Sequence, residues 1–317
     1  MDAISLDLFA VFARVAETGS FSRAARDLGL SKATISKRVA ELEAAFGVAL
    51  VARTTRRASL TQAGERTLVH AQRILESAEA ARDEALEARV SPRGRLKITA
   101  PITFGLRYMA PILPEFLAAY PDIQLDVSLA DKTVDLIGEG FDAAVRIRQM
   151  EDSSLIARRL APVRAHVVAS PSYWKKHGKP KRPEDLTGHR TFLYANLASN
   201  AAWRFENTGG EKVTVRVENV LVYDNADFIE PAVCAGLGVA RQPDFLCWRD
   251  IDAGKLEAVL EDWAAGPEGW LHVLTPPGRG APKKMRAFSD FMADHFGGGK
   301  APWVKSHPPK DQPPRAK

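Results

Sequence analysis

The sequence predicts an α/β protein that begins with a small, mainly helical winged helix-turn-helix, and three observations lead to that class. Residues 20–47 read as two short helices around a tight turn at Gly29-Leu30, the second with an N-cap residue at Ser31 and a closing glycine at Gly47. From residue 61 a helical apolar stripe runs without interruption to about residue 89. Beyond residue 94, strand-like and helix-like segments alternate almost to the end of the chain, the pattern of an α/β domain with mostly parallel sheets.

The first helix places Leu6, Phe9, Ala10 and Ala13 on one face and supplies a wall of a small core. A shorter helix follows over about Ser22 to Leu28, where Ala24 and Ala25 are small enough to let a second helix cross closely, and Gly29-Leu30 makes the turn. Ser31 stands at an N-cap position, its hydroxyl able to accept an orphan backbone N–H. Ile35, Val39, Leu42 and Phe46 then recur at helical spacing until Gly47 closes the helix in a left-handed turn. Two helices joined this tightly form a helix-turn-helix. Val48 to Arg53 and Ala58 to Leu60 read as the two sides of a wing with Thr54-Thr55-Arg56-Arg57 at its tip.

Opposite the apolar stripe of the second turn-helix lie Lys32, Thr34, Ser36, Lys37 and Arg38. Short hydroxyls and long cations in the first two turns of a helix can pair phosphates and reach base edges in a major groove. With Ser22, Arg23 and Ser31 at the helix starts and Arg53, Thr54, Thr55 and Arg56 on the wing, these are the candidate DNA contacts. Residues 20–57 hold eight Lys/Arg against three Asp/Glu. The whole chain carries only +5, and residues 297–317 alone account for +4, so the basic footprint is this local cluster and not the overall charge.

From Thr61, a candidate N-cap, Leu68, Ala71, Leu75, Ala78 and Ala85 recur in steps of three and four to about Arg89. A helix of about 45 Å with such a seam suits pairing with a second copy. Val90-Ser91-Pro92-Arg93-Gly94 changes composition and reads as a hinge. The remaining chain is long enough for a second domain. Its expected strands are Leu96–Thr99, Ile123–Leu129, Phe141–Ile147, His166–Ala169, Thr191–Tyr194, Val213–Val217, Val239–Arg241 and Trp270–Leu274. Its expected helices are Phe104–Ala119, Val134–Glu139, Pro171–His177, Ala226–Ala235 and Lys283–His295.

Residues 1–90 resemble the winged helix-turn-helix and linker helix of LysR-type transcriptional regulators. Phe21-Ser22-Arg23-Ala24-Ala25, Leu28, Ser31, Ser36, Leu42-Glu43, Gly47, Arg53-Thr54 and Leu60-Thr61-Gln62-Ala63-Gly64 match that family in order and spacing. Lys32-Ala33 departs from it where glutamine or a small polar residue followed by proline is common. The resemblance continues through Gly94-Arg95-Leu96, Ala100-Pro101, Leu113-Pro114, Tyr120-Pro121, Gly140-Phe141-Asp142, Arg158-Arg159-Leu160, Ala169-Ser170-Pro171 and Ala235-Gly236-Leu237-Gly238. It implies a DNA-binding domain over 1–60, a dimerisation helix over 61–90 and an effector-binding domain over 91–296. That domain would have two α/β lobes similar to type 2 periplasmic binding proteins, lobe I at 95–162 and 268–296 and lobe II at 165–265.

On that resemblance the partners are a partly palindromic double-stranded operator, a second copy or three in a homodimer or homotetramer, RNA polymerase, and a small organic co-inducer held between the lobes. Half-sites would lie about 34 Å or a multiple apart. Strand ends and helix N-termini, where unpaired N–H groups face a ligand, give Thr103, Phe104, Thr133, Arg146, Arg148, Asn196 and Asn225 as candidate effector contacts, and the two arginines could pair a carboxylate. Arg241-Gln242 departs from the family's apolar run.

The tail at 297–317, rich in Gly, Pro and Lys, is expected to be disordered. Cys234 and Cys247 are the only cysteines, which fits a reducing cytoplasm, and Cys234 reads as a small buried hydrophobe. No basic n-region, long apolar run or membrane span is seen. The sequence shows no phosphate loop, paired metal-ligand spacing or nucleophile elbow, and its seven histidines are scattered, so neither enzymatic activity nor a metal or cofactor is expected. The alternatives are an architectural DNA binder without sequence preference, a solute-binding module, and an enzyme with an unrecognised site.

Overall fold

The computed structural model describes residues 4–53, 58–85, 91–132, 134–148, 155–195, 202–264, 269–277 and 282–306. The chain forms two compact units, one of Met1–Arg93, Val134–Asp142 and Gly278–Arg286, the other of Gly94–Thr133, Ala143–Pro277 and Ala287–Lys317.

The first unit opens with helices α1 (Leu6–Thr18), α2 (Phe21–Leu28) and α3 (Lys32–Phe46). A wing of β1 (Val51–Arg53) antiparallel to β2 (Ala58–Leu60) and the long helix α4 (Gln62–Ala85) follow. Local chemistry sets each boundary. Ser20 and Ser31 cap α2 and α3 by accepting Arg23 N and Thr34 N, and Gly29 and Gly47 end those helices at φ of 63° and 67°, where a Cβ would be strained. The α1 stripe differs from expectation: Leu8, Phe9, Val11, Phe12, Ala13 and Val15 are buried while Leu6 is 43% exposed. Both α3 and α4 pack on α1, so a face turned away from Leu6 is the one covered. Phe46 is 40% exposed as well, its ring tilted against Phe9 at 6.2 Å.

The turn into the wing is held by Glu43, whose Oε1 accepts Leu50 N at 2.8 Å and Val51 N at 2.9 Å. Thr61 caps α4 by accepting Gly64 N, and its hydroxyl donates to Ala49 O. Leu68 and Ala71 of the expected dimer seam lie in or against the core of this unit, and Arg73 Nη2 donates to Leu136 O at 3.2 Å. The front half of α4 therefore rests on its own chain. The side chain of Ala85 and residues 86–89 lie outside the described residues. The helix expected at Val134–Glu139 is a turn instead, closed by Asp135 Oδ1 accepting Ile137 N and followed by Gly140 at φ 71°.

The second unit holds two five-stranded sheets. The first contains β3 (Gly94–Ala100), β4 (Ile123–Leu129), β5 (Ala143–Arg148), β6 (Ile156–Val163) and, from late in the chain, β14 (Gly269–Thr275), in the order β4-β3-β5-β14-β6. After β3 come α5 (Ile102–Phe104), a π-helical turn over Gly105–Met109, and α6 (Leu113–Ala119). The single helix expected over 104–119 is thus broken, because Pro111 supplies no N–H to continue the ladder.

The second sheet contains β7 (Ala165–Ala169), β8 (Thr191–Tyr194), β11 (Asn219–Tyr223), β12 (Val239–Pro243) and β13 (Glu257–Val259) in the order β11-β8-β12-β7-β13. Around it lie α7 (Pro171–His177), α8 (Ala226–Cys234), α9 (Asp244–Asp252) and an antiparallel ribbon of β9 (Ala202–Glu206) with β10 (Lys212–Arg216). The expectation of mostly parallel sheets is corrected. In each five-stranded sheet two neighbouring pairs are parallel and two antiparallel, because one strand in each runs against both its neighbours: β14, which brings the chain back into the first lobe, against β5 and β6, and β7 against β12 and β13.

Helix α10 (Lys283–Phe296) is followed by α11 (Pro302–Ser306). The start of the tail expected to be disordered is therefore folded, with Trp303 fully buried; residues 307–317 lie outside the described residues.

Candidate functional site

Two sets of residues carry the candidate chemistry. On the first unit, the cap at Ser31 starts α3 with its first turns open: Ser31, Lys32, Ser36 and Lys37 are exposed, on the side away from buried Ile35, Val39 and Leu42. The hydroxyls of Ser31 and Thr34 bond each other at 2.8 Å, and Ser31 Oγ also accepts Thr34 N, so the half-buried Thr34 takes part in the cap. Arg38 turns back toward α1, where Nη2 lies 3.7 Å from Asp7 Oδ2. Ser22 and Arg23 are exposed on the first turn of α2. Arg53 ends β1; Thr54, Thr55 and Arg56 lie outside the described residues.

The second set joins the two lobes within the second unit. Thr103, one residue into the helical turn after β3, is buried, and its Oγ1 donates to Asp227 Oδ2 at 2.8 Å. Asn225 caps α8 by accepting Asp227 N and donates from Nδ2 to Asp131 Oδ2 at 3.2 Å. The other Asp131 oxygen accepts Ile102 N at 2.9 Å. Arg107, on the π-helical turn, pairs with Asp227 and with Glu230. Burial alone would lower its pKa, but Glu230 and Asp227 outweigh that and hold the guanidinium above its ordinary value.

The structure thus brings the expected Thr103 and Asn225 into one hydrogen-bonded network through Asp131 and Asp227, two carboxylates that sequence reasoning did not single out. Asp131 follows a strand end and Asp227 sits in the first turn of a capped helix, positions that the same rule of strand ends and helix starts covers. Phe104 is corrected as a contact: successive residues of a helical turn point about 100° apart, and its ring is fully buried against Tyr108, Phe245, Phe296 and Trp303. Arg146 donates to Thr99 Oγ1 at 3.1 Å and to Val145 O. Arg148 is exposed two residues further along β5, paired with Trp270. Thr133 and Asn196 lie outside the described residues.

Elsewhere, Arg241 donates to Arg204 O at 2.8 Å with its guanidinium over the Phe205 ring, and burial pushes its pKa down to about 10. That departure from the apolar run packs on the β9–β10 ribbon. Cys247 is buried, Cys234 partly so, and burial raises both thiols above their ordinary value, which disfavours the reactive thiolate. Among the described residues no group of three or more His, Cys, Asp or Glu could hold a metal ion, and no helix is long and apolar enough to cross a membrane.

Residues 6–65 match the family model for the bacterial regulatory helix-turn-helix protein, lysR family, and residues 89–297 that for the LysR substrate binding domain. An HTH-type transcriptional regulator of Xanthomonas campestris pv. campestris is 38% identical over 285 residues, 89% of this chain and 83% of the relative. The HTH-type transcriptional regulator PtxR of Pseudomonas aeruginosa is 34% identical, covering 94% of this chain and 95% of its own. The structure of CrgA, a LysR-type transcriptional regulator from Neisseria meningitidis, superimposes with a TM-score of 0.58 at 31% identity over 91% of this chain and 98% of that one.

Proposed function

The chain belongs to the LysR family of DNA-binding, effector-binding and multimeric transcription regulators, and on that premise we propose that it reads a partly palindromic operator in the cytoplasm as a homodimer or homotetramer. One observation carries the reading of DNA: a capped helix whose first two turns expose Lys32, Ser36 and Lys37 over a fully apolar inner face. Lysines on such a face hold the phosphate backbone, while Ser36 is short enough to approach base edges.

The co-inducer is a small organic molecule that enters between the lobes at Thr103 and Asn225, with Arg146 and Arg148 at the end of β5 as the cationic side of the cleft. Its binding works by linkage. A ligand that favours one arrangement of the lobes favours the matching arrangement of subunits, and so changes operator occupancy or half-site spacing. RNA polymerase at the adjacent promoter receives the output. No metal or organic cofactor has a part in this.

The experiment is genome-wide mapping of the fragments that the purified protein retains at about 150 mM salt, which screens weak phosphate-only contacts. Enrichment of a few partly palindromic intergenic sites is expected. Uniform, sequence-blind retention would favour an architectural DNA binder instead.

A further inference from the structure

The short helix α11 lies C-terminal to the matched effector domain, yet it holds one of the largest fully buried side chains in the molecule. Three glycines return the chain from α10. Gly297 packs so tightly that a Cβ would stand 2.5 Å from Ala293 O, and Gly298 and Gly299 take φ of 62° and 84°, a backbone that L side chains resist. This turn delivers Trp303 to the junction of the lobes.

Its ring stacks on Phe296 at 6.0 Å and meets Tyr108 at 5.2 Å, Phe245 at 6.0 Å and Phe104 at 6.1 Å in edge or T-shaped contacts. Its Nε1 donates to Pro162 O at 3.0 Å. Apart from Phe296, the end of α10, each partner lies on an element that meets the other lobe or leads to it. Phe104 and Tyr108 lie on the helical turn that also carries Thr103 and Arg107. Pro162 is next to last in β6, from which the chain leaves the first lobe. Phe245 follows Asp244, which accepts Arg164 N and donates its own N–H to Arg164 O, gripping the link between β6 and β7. Tyr108 adds a second tie, donating its hydroxyl hydrogen to Phe245 O while accepting Trp248 Nε1.

We infer that Trp303 is a positioning residue for the cleft: the C-terminal helix straps the hinge and holds the turn bearing Thr103 and Arg107 against Asn225, Asp227 and Glu230. The consequence for regulation rests on the cleft reading given above, whereas the strap itself does not. A strap of this kind sets how far the lobes separate, because opening them breaks an aromatic cluster that spans both.

Hydrogen–deuterium exchange of the full-length protein without ligand tests it. Trp303→Ala is expected to speed exchange about tenfold or more over 102–109 and 244–248 while leaving α3 and β8 unchanged, and Trp303→Phe, which keeps the ring, to restore most of the protection. Where Trp303→Ala does not fold, Trp303→Leu, which keeps apolar volume without the ring or its N–H, gives the same comparison. Unchanged exchange over 102–109 would overturn the inference, as would an equal rise at all amides or a phenylalanine variant as unprotected as the alanine or leucine one. Because no ligand is present, failure here removes the strap and leaves the cleft standing. Failure of the cleft reading shows separately, as cleft variants that regulate normally.

Discussion

Thr103 and Asp227, 124 residues apart in the chain, are joined across the two lobes by a hydrogen bond of 2.8 Å. Removing a buried donor leaves its partner unsatisfied at a cost of about 1–3 kcal/mol, and Asp227 keeps Arg107 as its remaining side-chain partner. Thr103→Val preserves the shape and deletes the donor. It is expected to abolish regulation of the promoter next to a mapped operator while leaving affinity for that operator unchanged. A promoter reporter and a binding titration separate the two; normal regulation would place the effector elsewhere.

The reading face of α3 makes a different kind of prediction. Lys32 and Lys37 are exposed there. Each lysine that holds a phosphate contributes about one unit to the slope of log affinity against log salt. Lys32→Ala and Lys37→Ala are therefore expected to weaken binding to all sequences alike and to flatten that slope, measured by titration over a range of salt. Unchanged affinity in both would remove α3 from the interface. Arg38→Ala should act less, because that side chain faces Asp7.

What was legible in the sequence was local. Ser31, Gly29 and Gly47 act on backbone within four residues of themselves, and Ile123–Leu129, Pro171–His177 and Thr191–Tyr194 form with the expected ends because apolar runs there are bounded by turn residues. The rest is set at a distance. Strand β6 reads Ile-Ala-Arg-Arg before its buried end, a charged, Pro-containing run with no strand pattern, and it forms because it is the edge beside β14. The stripe of α4 carried helical spacing, but nothing in it told which of its residues meet α1. Trp303 sits among glycines, prolines and lysines, a composition that reads as disorder until its ring finds Phe104 and Phe296. Thr103 and Asn225 were reachable from the rule of strand ends and helix starts, and the bonds through Asp131 and Asp227 needed the fold.

Gly64 tests the seat of the wing on the long helix. A Cβ there would lie 2.0 Å from Leu50 O, and backbone cannot give way cheaply. Gly64→Ala normally helps a helix by up to about 1 kcal/mol, yet here overpacking is expected to win and cost about 1–3 kcal/mol. Thermal unfolding should show a lowered midpoint for the N-terminal unit, and a raised midpoint would refute the contact.

Helix α8 leaves Phe228 69% exposed, with Val222 on β11 and Leu237 beyond the helix each 57% exposed. Large apolar side chains left exposed on α8, on the neighbouring edge strand β11 and just past the helix are candidates for an association surface, and the family is multimeric. Phe228→Asp is expected to raise the dissociation constant for self-association at least about tenfold, the scale of 1.4 kcal/mol, without altering the fold. Sedimentation velocity over a concentration series measures it. An unchanged association state would exclude this face.

Asp244 gives the chain a pH dependence of defined sign. Burial pushes its carboxyl up to about 7, against the pull of the Arg164 and Phe245 N–H groups that its two oxygens accept. In the unfolded chain the same group titrates near about 3.9. Between about pH 4 and pH 7 the folded protein therefore holds a proton that the unfolded chain has released, so this residue makes stability fall as pH rises through that window and adds no slope above it. Three units correspond to at most about 4 kcal/mol. Denaturant unfolding of the wild type and of Asp244→Asn at pH 4.5, 6 and 8, about the window just derived, isolates the effect, since the variant cannot titrate there. The stability of the wild type relative to the variant should decline from the lowest pH to the highest. A difference that stayed flat, or that grew with pH, would mean that the hydrogen bonds of Arg164 and Phe245 prevail and that Asp244 is ionised throughout.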